Sequence, residues 1–143
     1  MSEAAAPHFA IEKIYLRDVS FESPQSPQVF TKPFNSTLDL QVKVEPEQVG
    51  EHHWQVVLRL TATVRLEDEV AFLAEVEQAG LFAMANFTDS DMPSLLNAYC
   101  PTLLFPYARE TIATLSLKGG FPPLELQPLN FDALHQQQAQ VAA

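Results

Sequence analysis

Two stretches of the chain alternate apolar and polar residues with a period of two. Leu38, Leu40, Val42 and Val44 interleave with Asp39, Gln41, Lys43 and Glu45. Trp54, Val56, Leu58, Leu60, Ala62, Val64 and Leu66 repeat the pattern against Arg59, Thr61, Thr63 and Arg65. A helix would scatter these side chains around its circumference, whereas a strand gathers them on one face. The chain must therefore build a sheet with one dry face. Residues 70–84 predict a further strand, with Phe72, Ala74 and Val76 inward, Leu73, Glu75 and Glu77 outward, and Gly80 as a bulge or twist. Residues 8–22 predict an impure one. Phe9, Ile11, Tyr15, Val19 and Phe21 share the inward parity; Glu12, Asp18, Ser20 and Glu22 share the other. Ile14 and Leu16 break the alternation and point to a bulge or to a second contact on the outer face.

The connections set the topology. Pro46–His53 reads as a loop and Glu67–Glu69 as a tight turn, which favours antiparallel neighbours. Residues 23–34 carry Pro24, Pro27 and Pro33, which cannot sit inside a paired sheet, so this segment reads as a long, stiff crossover. Its Phe30 and Phe34 either pin it to the core or line an exposed groove.

A helix predicted from about Ser90 to Lys118 covers the dry face. Met92, Leu95, Leu96 and Tyr99 follow helical spacing, as do Phe105, Ala108, Ile112 and Leu115. Pro106 must bend this helix or restart it. Gly119-Gly120 ends it, and Lys118 complements its negative pole. Phe121–Leu129 is extended because of its three prolines. Asn130 suits a helix N-cap, and a lighter helix over about 131–140 follows. These elements predict an α+β domain spanning 1–143, with short flexible ends at about 1–8 and 139–143.

Charge and chemistry narrow the function. There are 18 acidic against 8 basic residues, a net charge of −10, and the bases are scattered. Phosphate recognition needs clustered cations, so neither nucleic acid nor an anionic membrane is an expected partner; a basic protein segment is. No run reaches the length of a membrane span, no signal-peptide pattern opens the chain, and the single Cys100 excludes an internal disulfide, all of which predicts a cytoplasmic protein. No catalytic constellation, cofactor motif or metal-spaced cluster stands out. Cys100 reads as a buried small hydrophobe, with a nucleophile as the alternative. His52 and His53 point to opposite faces of a strand, and Arg109-Glu110 reads as a structural ion pair.

Four stretches carry a resemblance. They are Ile14-Tyr15 with Asp18–Pro24; Val56–Leu60 with Ala71–Gly80; Tyr99–Glu110, which reads YCPTLLFPYARE; and Gly120–Asp132, which reads GFPPLELQPLNFD. In this order they resemble SecB, the bacterial protein-export chaperone family, from Ile11 to about Leu134. The resemblance implies a four-stranded antiparallel sheet with a crossover after strand 1, a long helix and a lighter C-terminal helix. It implies a homotetramer built as a dimer of dimers, without enzyme activity or cofactor, that holds unfolded precursor proteins and delivers them to the SecA ATPase. By resemblance, Asp18, Glu22, Leu73 and Glu75 form the SecA contact. A client groove takes Phe21, Phe30, Phe34, Phe121, Leu124, Leu126 and Leu134, and Tyr99, Cys100, Leu104 and Tyr107 lie at the oligomer interface. Leu104 is expected to point outward, away from its own sheet.

The residues support that implication in part. Parity alone puts Asp18, Glu22, Leu73 and Glu75 outward. Phenylalanine, present in 10 copies, supplies contact area without directional bonds. Apolar burial yields about 2.5 kcal/mol per 100 Å², while ordering a client residue costs roughly 1–2 kcal/mol, so only long chains engaging several grooves bind well. Two other readings stand beside export: a SecB-like chaperone for another client, such as an antitoxin, and a carrier of a small hydrophobic ligand.

Overall fold

The computed structural model describes residues 5–142. The loose ends expected at about 1–8 and 139–143 fall at or beyond its limits, 1–4 and 143 lying outside the described residues. Four strands, β1 (His8–Glu22), β2 (Ser36–Gly50), β3 (His53–Leu66) and β4 (Glu69–Ala85), form one antiparallel sheet in the order β1-β4-β3-β2. The first two strands stand at opposite edges, so the proline-rich connection crosses the sheet as expected, with a single 3₁₀ turn at Gln28–Thr31.

Three expectations for the strands need correction. The Pro46–His53 loop shrinks to a turn at Glu51-His52, because β2 continues to Gly50 with Pro46 opposite Val56. An edge strand tolerates proline where its nitrogen faces away from the neighbour. In β1, Tyr15 lies on the outer face and Ile14 and Leu16 on the inner one. Register shifts at Ile11/Lys13 and at Leu16/Asp18 each insert a residue, and each reverses parity. The two reversals cancel, which returns Val19 and Phe21 inward and Asp18 and Glu22 outward. Gly80 marks neither bulge nor shift. A Cβ there would stand 2.6 Å from the Phe82 ring and 3.1 Å from Leu104 Cδ2, so its lack of a side chain admits the helix.

The helical layer lies on the inner face. It begins with the single turn α1 (Met92–Ser94), widens into a π turn at Leu95–Tyr99, and continues as α2 (Cys100–Lys118). The irregularity expected at Pro106 sits instead just ahead of Pro101; Pro106 lies within α2 on its exposed side. A wide turn absorbs the hydrogen bond that Pro101 cannot donate. It also inserts a residue into the helical phase, so Tyr99 turns out to 48% exposure while Cys100 turns in. Cys100, Leu104, Ala108, Ile112 and Ser116 then form an i, i+4 ridge, every member with no exposed surface, packed on β3 and β4. Three of the five are small, which brings helix and sheet close together.

Helix α2 ends with Gly120 at φ +90° and with Phe121 N–H donating to Ser116 O at 3.0 Å. Ser116 Oγ donates to Ala113 O at 2.8 Å and accepts from Leu124 N–H at 2.9 Å, tying the extended segment back to the helix. Asn130 Oδ1 caps α3 (Phe131–Ala142) by accepting from Ala133 N–H at 3.0 Å. Phe131 anchors α3 edge-on to Phe105, ring centroids 6.0 Å apart. No helix in the described residues is long and apolar enough to cross a membrane.

Candidate functional site

The inner face splits into two apolar clusters. The larger lies under α2 and includes Phe82, Leu104, Phe105, Leu126 and Phe131. The smaller lies under the crossover connection and centres on Phe121, whose ring centroid is 4.7 Å from Phe72, 5.2 Å from Phe30, 5.8 Å from Phe34 and 6.5 Å from Phe21. Five phenylalanines from β1, the crossover, β4 and the segment after α2 thus converge. Such tilted contacts suit the quadrupole of the rings. Gly119 and Gly120 permit the approach: a Cβ on Gly119 would collide with Phe21 at 2.3 Å, and one on Gly120 would stand 3.0 Å from Phe30.

The residues expected to line a groove therefore divide. Phe21, Phe30, Phe34 and Phe121 come together, with Phe72 as a member that the sequence reading had assigned only to the core. Leu124 touches both clusters, while Leu126 and Leu134 belong to the α2 cluster. Access differs sharply among them. Phe30 is 50% exposed and Phe21, Phe34, Leu124 and Leu134 are half-buried, but Phe121 and Leu126 are covered by their own chain. The covered pair supports the floor and offers no surface to a ligand in this conformation. Beside the α2 cluster, a cavity of about 560 Å³ opens between α2 and the extended segment, bounded by Phe105, Pro106, Ala113, Leu129 and Phe131. Arg109 and Glu110 also line it but do not pair among the described residues. Consecutive helical side chains diverge, and Glu110 instead accepts from Thr114 Oγ1 at 2.7 Å.

The four residues expected to meet a basic partner share the outer face of β1 and β4. Glu22 stands opposite Leu73, Ser20 opposite Glu75 and Asp18 opposite Glu77. Asp18 and Glu22 are exposed; Leu73 and Glu75 are half-buried. Sequence reading missed Arg59 on β3. Its Nε and Nη2 both donate to Glu77 Oε1, and it lies 3.6 Å from Glu45 and 4.0 Å from Glu75. The hydrogen bond to Glu77, with the neighbouring carboxylates, holds its guanidinium above the usual arginine range against some desolvation.

The expected oligomer interface also divides. Tyr99 and Tyr107 are about half exposed; the Tyr99 ring meets Phe9 of β1 edge-on, centroids 5.0 Å apart, and Tyr107 lines a shallow pocket with Gln78 of β4. Cys100 and Leu104 have no exposed surface and pack within their own subunit, which corrects the outward placement of Leu104. Burial pushes the Cys100 thiol up to about 12. Roughly one molecule in ten thousand would carry the thiolate at pH 8, so Cys100 should resist alkylation until urea unfolds the chain. Rapid labelling of the native protein would contradict this burial.

The sequence profile described as SecB, preprotein translocase subunit SecB, matches residues 2–142. The protein named protein-export protein SecB in Hahella chejuensis is 47% identical over 142 residues, covering 96% of this chain and 89% of that protein. Its counterpart in Methylococcus capsulatus is 48% identical over 134 residues, covering 94% and 86%. Among solved structures, a SecB-like chaperone of Mycobacterium tuberculosis in complex with a ChAD peptide from an antitoxin shares the fold. Its TM-score is 0.72 at 21% identity, covering 85% of this chain and 90% of that one.

Proposed function

Since the chain belongs to the SecB family, we propose that it is a cytoplasmic, ATP-independent holdase that binds unfolded precursor proteins and delivers them to SecA for export. The observation that carries client binding is the convergence on Phe121, with Phe30 half exposed at its rim and Phe21, Phe34 and Leu124 beside it. Aromatic area on irregular backbone accepts apolar side chains of many shapes, as a non-selective binder requires. Leu134 on α3 contributes the far wall. The whole chain acts as one chaperone domain, and no reaction is assigned to it.

Assembly follows the same division of surfaces. Tyr99 and Tyr107 face the second dimer of a homotetramer, and Cys100 and Leu104 shape the helix from behind. Asp18, Glu22, Leu73 and Glu75 receive a basic SecA segment on the outer face, opposite the client side of the sheet. The two partners therefore do not compete for one surface.

The tests separate these roles. The purified protein should suppress aggregation of a denatured client without nucleotide. Glu75→Lys should weaken SecA binding at least about tenfold, because a like charge facing a basic segment is costly, while leaving aggregation suppression intact. An unchanged SecA affinity would remove the docking assignment; failure to suppress aggregation would remove the holdase assignment.

A further inference from the structure

Arg59 occupies the centre of the outer face and is surrounded by acids. Glu77, its cross-strand neighbour on β4, is 8% exposed and accepts both guanidinium hydrogen bonds. Glu45 on β2 has a buried Oε1 without a hydrogen bond, 3.6 Å from Arg59 Nη2 and 3.8 Å from Lys43 Nζ. Glu75 lies 4.0 Å from Arg59 Nε, and its other oxygen accepts from Thr61 Oγ1 at 3.3 Å. One guanidinium thus faces three carboxylates. Glu77 has the full hydrogen-bonded share, and Glu75 is held at the edge of the network. Asp18 and Glu22, across on β1, have no ion-pair partner among the described residues.

We propose that Arg59 is a positioning residue of the docking patch: an internal counter-cation, shared with buried Glu77, that draws the Glu75 carboxylate toward β3 and competes with the cation of a docking partner. This rests on the SecA reading given above. Glu77 is too covered to meet a partner itself, yet it decides how much of Arg59 is left over for Glu75. A partner cation gains Glu75 by replacing Arg59, and Arg59 retains Glu77 when this happens. The patch therefore keeps its ion pair in the docked and undocked states and never leaves Glu77 as an uncompensated buried charge.

The test measures SecA binding to the intact assembly at low and physiological salt for three variants. Arg59→Gln should tighten binding by roughly twofold to fivefold at low salt, the range spanned by partly exposed charge pairs, with a steeper salt dependence. Glu77→Gln should weaken binding by a similar factor, because Arg59 then turns to Glu75 and Glu45. Opposite signs from the two members of one ion pair are what a purely structural role would not produce. If Arg59→Gln fails to fold, the weakening by Glu77→Gln carries the test, provided that its circular dichroism, native mass and aggregation suppression match those of the parent. Unchanged affinity in both, or changes of the same sign, overturns the role of Arg59. Glu75→Lys separates the two readings: its silence would defeat SecA docking itself, whereas its loss of binding beside silent Arg59→Gln and Glu77→Gln would defeat only the proposal for Arg59.

Discussion

Leu104→Asp is expected to unfold the subunit rather than to separate intact subunits. Leu104 has no exposed surface and occupies the space that Gly80 leaves open on β4. An aspartate there would be a buried charge with no cation near it, which either loses its proton at high cost or stays neutral without a hydrogen-bond partner. The milder Leu104→Ala should lose about 3–5 kcal/mol, from lost transfer energy and the cavity left behind. That is a large part of the roughly 5–15 kcal/mol that holds a domain together. A urea transition measures the alanine variant, and circular dichroism with native mass measures the aspartate one. Folded dimers or monomers of Leu104→Asp would show that the residue acts between subunits after all. Tyr107→Asp is the control: half exposed on the flank of α2, it should leave the subunit folded.

Phe121→Ala carries the second large effect. Phe121 is 4% exposed and is the one ring in contact with Phe21, Phe30, Phe34 and Phe72. Its loss should cost about 3–5 kcal/mol by urea unfolding, since four neighbours would face a void. It should also abolish aggregation suppression under conditions where the variant stays folded, because Phe30 and Phe34 lose the surface that orients them. Phe30→Ala should divide these consequences. With half of its surface already in water, its removal should cost under about 1 kcal/mol while still impairing client capture. A loss below about 1 kcal/mol for Phe121→Ala would mean that the cluster collapses around the gap and that no fixed floor exists.

Leu104 and Phe121 also show which parts of the molecule were legible in the sequence. Alternation revealed β2, β3 and β4, because a half-dry sheet imposes period two on any chain. Three prolines between 23 and 34 announced the crossover, and Asn130 and Gly119-Gly120 marked helix ends through backbone chemistry that few other residues satisfy. The contact ridge of α2 was legible only in part: Ala108 and Ile112 lay in the traced stripe and Cys100 read as buried, but Ser116 carries little hydrophobic signal, and close packing on a sheet prizes small size over hydrophobicity. A stripe traced from Phe105 was too narrow and put Leu104 outside it, although a core-facing stripe spans at least about 100°. The π turn is a hydrogen-bonding choice made around Pro101 and leaves no periodic trace. In β1, two bulges made the parity of Tyr15 unreadable yet cancelled before Asp18, so the outer acidic residues were read correctly across a region that was not. Arg59 was visible only as one polar member of an alternating strand; its three carboxylate neighbours come from two other strands and meet it only in the folded sheet.

The strand order β1-β4-β3-β2 has a consequence for how the chain is made. β1 is synthesised first, yet its only partner within the sheet is β4, so Phe9 waits for Met84 and Phe21 waits for Ala74. During that interval β2 and β3, and then β3 and β4, can close as local hairpins, while β1 remains an extended segment with its hydrogen-bonding edges open. Closing the loop from β1 to β4 carries an entropic cost before any contact rewards it, which makes it the slow, non-local step. Until then the nascent chain displays the apolar, unpaired segment by which an unfinished protein is prone to aggregate. A protein proposed to shelter incomplete chains thus passes through that condition itself, and its own first strand is the part most in need of shelter.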